Sequence, residues 1–257
     1  MKCYTAIALE GFPLVNEGDN IAQAIVEVAA RNNVKLENGD VIAVAQKIVS
    51  KAEKRVIPLK EIVPSEEAKK IAAKVAKSPK FVELVLIESN RLLKATPDIL
   101  LVEDKRGLIC INAGIDKSNV EGRGNFVLLP QNPDESAEKY RQEFRKITGR
   151  NVAVIICDTY SRPFRRGQVN FSIGIAGIRP FKDYRTKKDL FGHILKVKNV
   201  AIVDEIAAAA ELLMGQAKEA RPVVIFKGLS DIVEHCENCR TSDLFIAKQE
   251  DLFAGAL

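Results

Sequence analysis

The sequence predicts an α+β fold. Short apolar runs of strand type occur beside longer stretches with apolar residues three and four apart, but the two do not alternate regularly. That irregularity argues against a doubly wound parallel sheet. No segment reads Gly, four residues, Gly-Lys-Ser/Thr, and no dinucleotide-binding glycine fingerprint occurs, so a phosphate-loop NTPase is disfavoured. At 257 residues and 47% hydrophobic, the chain suits one large domain or two small, closely packed ones.

In chain order, Ile21 to Ala30 is expected to be a helix with Ile21, Ile25, Val28 and Ala29 on one face. Val41 to Ala45 follows the turn Asn38-Gly39-Asp40 as an apolar strand. Ser65 is placed to cap a helix reaching about Lys77, with Ile71, Ala72 and Val75 inward, and Phe81 to Leu93 is expected to continue as another helix. Ile99 to Val102 and Leu108 to Ile111 form a hairpin across Asp104 to Gly107. The stretch Pro130 to Pro133 is a candidate lobe break within a single domain spanning 1–257. Asn132, Pro133 and Glu135 make a helix start of capping-box type. Val152 to Cys157 is a strand ending in Asp158, and Val200 to Val203 another. Asp204 then caps an Ala-rich helix that stops at Met214-Gly215, where glycine suits the terminus, and Pro222 to Phe226 is a buried strand.

The charge is mild, 39 Lys and Arg against 34 Asp and Glu, and scattered, which argues against a nucleic-acid partner but suits phosphorylated or carboxylated substrates. The N-terminal segment does not read as a signal peptide, and no uncharged run is long enough to cross a bilayer, so no membrane partner is expected. Five irregularly spaced cysteines do not suggest a secreted disulfide scaffold; a reducing cytoplasm is the simplest setting. Cys110 and Cys157, in apolar strands, are expected to be core thiols. Cys236 and Cys239 form one CxxC without a second pair, which leaves a local metal or redox role open.

Three segments carry candidate chemistry. Asp158 stands where an apolar strand leaves the core, with the Thr159 hydroxyl beside it; the alternative is a carboxylate that caps a turn. Asn112 to Asn119 follows another apolar strand; Gly114 permits a tight path, and Asp116 and Asn119 offer oxygens, either to a hard cation or within an Asx-rich turn. Arg162, Arg165 and Arg166 follow Asp158 and could fork onto phosphate or carboxylate, or form a solvated basic loop. Gly174 and Gly177 suggest close backbone packing nearby. Lys47 and Lys51 share a face if helical and could neutralise a triphosphate, although surface lysines are commoner.

Together these segments resemble the coenzyme F420-0:L-glutamate ligase family over about Glu10 to Gly228. The markers are Glu10-Gly11-Phe12-Pro13-Leu14, Val49-Ser50-Lys51-Ala52-Glu53, Asn112-Ala113-Gly114-Ile115-Asp116 with Ser118-Asn119, and Asp158-Thr159 with Arg162-Pro163, Arg165-Arg166-Gly167 and Ile173-Gly174. A further marker is Asp204-Glu205-Ile206-Ala207 with Leu213-Met214-Gly215. The resemblance implies a mixed-sheet α+β fold of two intimately packed lobes, an intertwined homodimer, GTP as co-substrate, Mg²⁺ or Mn²⁺, and K⁺ as a further cation. It implies coenzyme F420-0 and L-glutamate as substrates. Asp116 and Asp158 would be ligands of a first metal, with Arg162 beside them in catalysis. Thr159 and Gln216 would serve a second metal. Phe12, Pro13, Leu14, Val15, Gln46, Lys47, Lys51 and Asn119 would line the GTP site with the loop Met214, Gly215, Gln216, Ala217 and Lys218.

The chain departs from the family pattern at three places. Gln216 stands where a metal-binding Glu is usual, in a loop that is otherwise acidic and glycine-rich; Lys54 stands for Gly; and Ser161 stands for the Gly before the arginine. The implied reaction activates a carboxylate as an acyl phosphate, which the glutamate amine then attacks, with no side-chain nucleophile needed. The rival expectations are a related ligase acting on another acid, a non-catalytic GTP-binding homologue, and a small redox or zinc protein built on Cys236 and Cys239.

Overall fold

A computed structural model describes residues 2–162, 164–247 and 249–251. The chain opens with β1 (Thr5–Ala8), α1 (Ile21–Arg31), β2 (Val41–Ala45) and α2 (Gln46–Ala52). Next come β3 (Val56–Pro58), α3 (Glu66–Ala72), α4 (Pro79–Ile87), β4 (Ser89–Ala95), β5 (Leu100–Asp104), β6 (Ile109–Ile111) and β7 (Asn125–Val127). The last group is α5 (Pro133–Thr148), β8 (Ala153–Ser161), β9 (Gln168–Ala176), β10 (Phe181–Asp183), β11 (Asn199–Ala201), α6 (Ile202–Met214) and β12 (Val223–Lys227). The fold is α+β. The chain divides into two compact units, residues 2–52 with 131–244, and residues 53–130 with the described residues from 245 onward.

The first unit is built on a mixed sheet in the order β1-β12-β2-β8-β9, in which β2 and β8 run parallel and every other pair is antiparallel. Alternate residues of its strands serve opposite faces. Val41, Ala43, Ile155, Ile175, Val224 and Phe226 form one buried cluster with Val203, Ile206, Ala207 and Ala210 of α6. Each large aliphatic chain so buried stabilises the fold by about 1.5–3 kcal/mol. The intervening Ile42, Val44, Val154 and Ile156 are equally inaccessible and face the other way, and α5 packs along β8 and β9. Helix α1 buries Ile21, Ile25, Val28 and Ala29 as its spacing predicts. Helix α5 starts as expected, with Asn132 Oδ1 accepting from the Glu135 N–H at 3.3 Å and Pro133 in the first turn. Gly174 is required by close packing: a Cβ there would lie 2.4 Å from the Pro133 carbonyl oxygen. At Gly177 a Cβ would meet the Arg141 side chain at 2.5 Å.

In the second unit, β4, β5 and β6 form an antiparallel meander, and β3 pairs with β7. The β5–β6 hairpin lies where expected, its turn held by Asp104 Oδ1, which accepts from the N–H groups of Arg106 (2.9 Å) and Leu108 (3.0 Å). The helices differ from expectation. Ser65 caps α3, but the helix ends at Ala72 rather than near Lys77, and Val75 is buried outside it. Pro79 disfavours helix in the residue before it and starts a new one, which Ser78 caps. That second helix stops at Ile87. Residues expected to extend it to Leu93 instead form β4, because pairing along β5 satisfies their backbone groups.

Two expectations in the first unit are also corrected. Strand β8 does not end at Asp158 but continues to Ser161 in a hairpin with β9; only its burial changes at Asp158. Helix α6 begins at Ile202, two residues before Asp204, without a side-chain cap. The Asp204 carboxylate is instead turned onto β9, where it accepts from Ser172. Gly215 ends the helix as expected, at φ 70°. Cys110 and Cys157 are buried, as expected. Among the described residues, no helix is long and apolar enough to cross a membrane.

Cys236 and Cys239 are joined in a disulfide that encloses Glu237. Glu237 makes a two-point pair with the buried Arg141 guanidinium, at 2.8 Å for each oxygen, and also meets His235 Nε2 at 2.7 Å. Arg141 and then His235 hold the Glu237 carboxyl down to about 2 from 4.5. A depressed acid stabilises the fold above its ordinary value and loses that contribution as pH falls towards the folded value. Glu237→Gln should therefore be less stable than the parent at neutral pH. The gap in denaturation midpoint should close as pH drops from about 4.5 to about 2, as read by chemical denaturation across that range.

Candidate functional site

The most developed polar group in the first unit lies where the β8–β9 hairpin meets α6. Strand β9 is an edge strand among the described residues, so alternate N–H groups along it have no strand partner. Carboxylates take them. Glu211 Oε2 accepts from Asn170 N (2.7 Å), Asp204 Oδ1 from Ser172 N (2.9 Å) and Asp134 Oδ1 from Ile175 N (2.8 Å). The step from two residues to three reflects the irregularity opposite Ile156 and Cys157, where β9 carries an extra residue. Asp204 and Glu211 are seven residues apart on α6, two helical turns on one face.

Thr159 faces Asn170 across the hairpin and donates its hydroxyl proton to Asn170 Oδ1 at 2.9 Å. Gln216, one residue past the glycine that ends α6, donates from Nε2 to Thr159 Oγ1 (2.8 Å) and to Glu211 Oε1 (2.5 Å). The structure thus brings together Thr159 and Gln216, both expected at a second metal, and adds Glu211 and Asn170. Asp158 precedes Thr159 and is half-buried. The charges of Asp204, Asp158 and Glu211 act on one point. Burial first, and then these three carboxylates, push the Cys157 thiol well above its usual range. Cys157 is consequently a neutral core group.

Phe12 and Val15 are buried and Leu14 is 84% exposed, with Pro13 exposed between Phe12 and Leu14. Their loop is tied to α2 through the Gly18 N–H, which donates to the Ala52 carbonyl at 2.9 Å. Lys47 and Lys51 lie four apart on α2 as the spacing requires, and Gln46 is buried, accepting from the Ser50 hydroxyl at 2.9 Å. Met214, the last residue of α6, packs in the core, whereas Gln216, Ala217 and Lys218 are exposed and Gly215 is half-exposed. Arg162 has a partly buried side chain whose Nε meets no acceptor among the described residues, as does Arg221 in the loop before β12. Pro163, beside Arg162, lies outside the described residues.

Asp116 and Asn119 belong to the second unit. Asp116 Oδ1 accepts from the N–H groups of Lys117 (2.6 Å) and Ser118 (3.0 Å), and Oδ2 from the Ser118 hydroxyl (2.5 Å). The Asx-turn alternative thus describes its geometry, and it holds the carboxylate at the end of a tight path. Asn112, Ala113 and Gly114 all have positive φ, and a Cβ on Gly114 would strike Leu129 Cδ1 at 2.4 Å.

The groups gathered where the hairpin meets α6 are hydroxyl, amide and carboxylate oxygens. Among the described residues no group of three or more His, Cys, Asp or Glu forms a cage. Single carboxylates with neutral oxygens, completed by water and phosphate, suit Mg²⁺ or Mn²⁺.

The model of the F420-0:Gamma-glutamyl ligase family matches residues 11–228. The chain belongs to this family. It is 46% identical over 222 residues to the Coenzyme F420:L-glutamate ligase of Methanothermobacter thermautotrophicus, covering 86% of this chain and 88% of the relative. The protein of the same name from Archaeoglobus fulgidus is 47% identical, over 86% of each chain. That from Methanopyrus kandleri is 42% identical, over 96% of this chain and 97% of its own.

Within the family frame, Glu211 and Asn170 are the residues that sequence reasoning passed over. Glu211 could have been found from its seven-residue spacing to Asp204. Asn170 could not, because its place opposite Thr159 depends on hairpin register. The departure at Lys54 also acquires a physical meaning: its φ is 62°, a conformation natural to glycine and costly for a lysine. Lys54→Gly should stabilise the protein by about 1 kcal/mol, raising Tm by roughly 2–4 °C in a thermal melt. A lower Tm would mean that the lysine side chain contributes more than its backbone strain costs.

Proposed function

We propose that the chain is a ligase that adds L-glutamate to coenzyme F420-0 with GTP as the phosphoryl donor. Family membership over nearly the whole chain, joined to the Thr159–Gln216–Glu211 group at the expected cation position, is the observation that carries this reading. A free carboxylate is a poor acyl donor because oxide is a poor leaving group. Transfer of the terminal phosphoryl group of GTP to a carboxylate of F420-0 makes an acyl phosphate. The glutamate amine attacks its carbonyl carbon, phosphate departs with the C–O bonding pair, and an amide remains.

Lys47, Lys51 and Arg162 are assigned to neutralise and orient phosphate oxygens. Gln46, Asn119, the loop Phe12–Val15 and the loop from Met214 to Lys218 are assigned to the nucleotide. On the family resemblance, Asp116, Asp158, Thr159 and Gln216 would supply oxygen ligands for Mg²⁺ or Mn²⁺, with K⁺ as a further cation. When bound, divalent cations would offset charge on transferring phosphate oxygens. A cytoplasmic location fits these soluble small-molecule substrates.

Incubation with F420-0, L-glutamate, Mg²⁺ or Mn²⁺ and either GTP or ATP, followed by mass spectrometry, tests the function and the nucleotide together. A product heavier by one glutamyl residue is expected with GTP. Gln216, a neutral amide where an acid is usual, favours one second reading, a related ligase acting on a different acid. Phosphate release that depends on another acid, with F420-0 unreactive, would select it. Nucleotide binding without any acid-dependent phosphate release would point to a non-catalytic homologue. Asp158→Asn should lower kcat by roughly 100-fold or more while leaving Tm nearly unchanged. A folded, fully active variant would remove Asp158 from the site.

A homodimer is proposed on the same basis, and one surface supports it. Between β10 and β11 the chain exposes Leu190 (98%), Phe191 (86%) and Val197 (89%), side chains that a second copy would remove from water. A Leu190→Asp, Phe191→Asp double variant should sediment as a monomer at micromolar concentration where the parent sediments as a dimer. A monomeric parent would refute the assembly.

A further inference from the structure

The Gln216 side-chain nitrogen is shared between Thr159 Oγ1 at 2.8 Å and Glu211 Oε1 at 2.5 Å. Glu211 uses its other oxygen on the Asn170 N–H at 2.7 Å, and Asn170 accepts the Thr159 proton at 2.9 Å. The four residues close a ring of hydrogen bonds that joins the end of α6, the loop after it and both strands of the hairpin. An ionised carboxylate accepts and cannot donate, so Glu211 demands a donor from whatever stands at 216. A glutamine satisfies that demand only with its nitrogen inward, which turns its oxygen away from Glu211. A hydrogen bond to an ionised acceptor is roughly twice as strong as a neutral one, so the orientation is well enforced.

We propose that Glu211 is a positioning residue for the ligase reaction: it fixes the Gln216 amide and, through it, the Thr159 hydroxyl, so that this end of the site is assembled before any cation arrives. With an acid at 216, two carboxylates would face each other at the same place, and only a cation between them would hold the loop. With Gln216 the loop is held by a hydrogen bond, and the cation becomes a guest of a formed site rather than its organiser. Glu211 also keeps at this place the negative charge that Gln216 lacks.

The inference rests on the proposed function in treating Thr159 and Gln216 as parts of the site, and its test needs no substrate. Tm is measured at pH 8 in EDTA and then with MnCl₂ for four proteins: the parent, Gln216→Glu, Glu211→Gln and the double swap Glu211→Gln, Gln216→Glu. Gln216→Glu should lose roughly 5 °C in EDTA, because it replaces a charge-assisted bond with facing anions. Mn²⁺ should return most of that loss and raise the parent much less. The double swap should melt near the parent in EDTA. In that variant the amide now at position 211 would donate to the carboxylate now at position 216 and still accept from the Asn170 N–H. Thr159 would turn its proton to the same carboxylate, and the Asn170 amide would reverse. Far-UV circular dichroism confirms that each variant is folded.

A Gln216→Glu protein that melts with the parent in EDTA would overturn the proposal, as would a double swap no more stable than Gln216→Glu alone. A loss in Gln216→Glu that Mn²⁺ does not return would overturn the cation's place in it. Failure of the parent to glutamylate F420-0, with the swap rescue intact, would strike the proposed function and leave the role of Glu211 standing.

Discussion

The open edge of β9 is the constraint on which the rest of this site depends. A strand at the border of a sheet leaves alternate N–H groups without a partner, and here they are buried too deeply against helices to be left to water. Three carboxylates answer them, Asp134 from the start of α5 and Asp204 and Glu211 from α6. Each of these bonds registers a helix against the sheet. Asp134 is further engaged by Thr241, whose N–H and hydroxyl both donate to it, so the segment after the disulfide is tied to the same edge.

The same bonds set the electrostatics. Two of the carboxylates recruited to satisfy backbone hydrogens, Asp204 and Glu211, put negative charge at the Asn170–Ser172 end of β9, and Glu211 also meets Gln216 of the loop that begins at Gly215. An arrangement with a structural cause thereby gives this end of the hairpin its acidic character. The consequence is visible in Cys157, whose thiol is driven far from ionisation by burial and by its acidic neighbours. A core cysteine in these surroundings remains chemically quiet.

Several elements were legible in the sequence because their causes are local. The apolar stripe of α1, the Asn132-Pro133 start of α5, the Gly215 stop of α6 and the hairpin turn at Asp104 each follow from a few neighbouring residues. Other expectations failed where a distant partner decided the outcome. Residues 89–93 continue a helical pattern, yet they become strand because β5 lies alongside. Asp204 looks like a helix cap, yet it caps a strand on another element. The acid at 158 marks the end of burial, but the hairpin carries its backbone three residues further.

The sequence by itself determined the α+β class, the glycines at Gly174 and Gly177 where close packing leaves no room for a Cβ, and the family, since ordered motifs spread over most of the chain survive any local misreading. Tertiary structure alone decided which polar groups meet. Glu211, Gln216, Thr159 and Asn170 come from a helix, a loop and two strands, and their ring exists only because strand register sets Thr159 opposite Asn170 and α6 packs on β9. Hydrogen bonds reach about 3 Å, whereas sequence patterns report only the periodicity of burial. The identity of a carboxylate is therefore written in the chain, but the donor it will serve is chosen by packing.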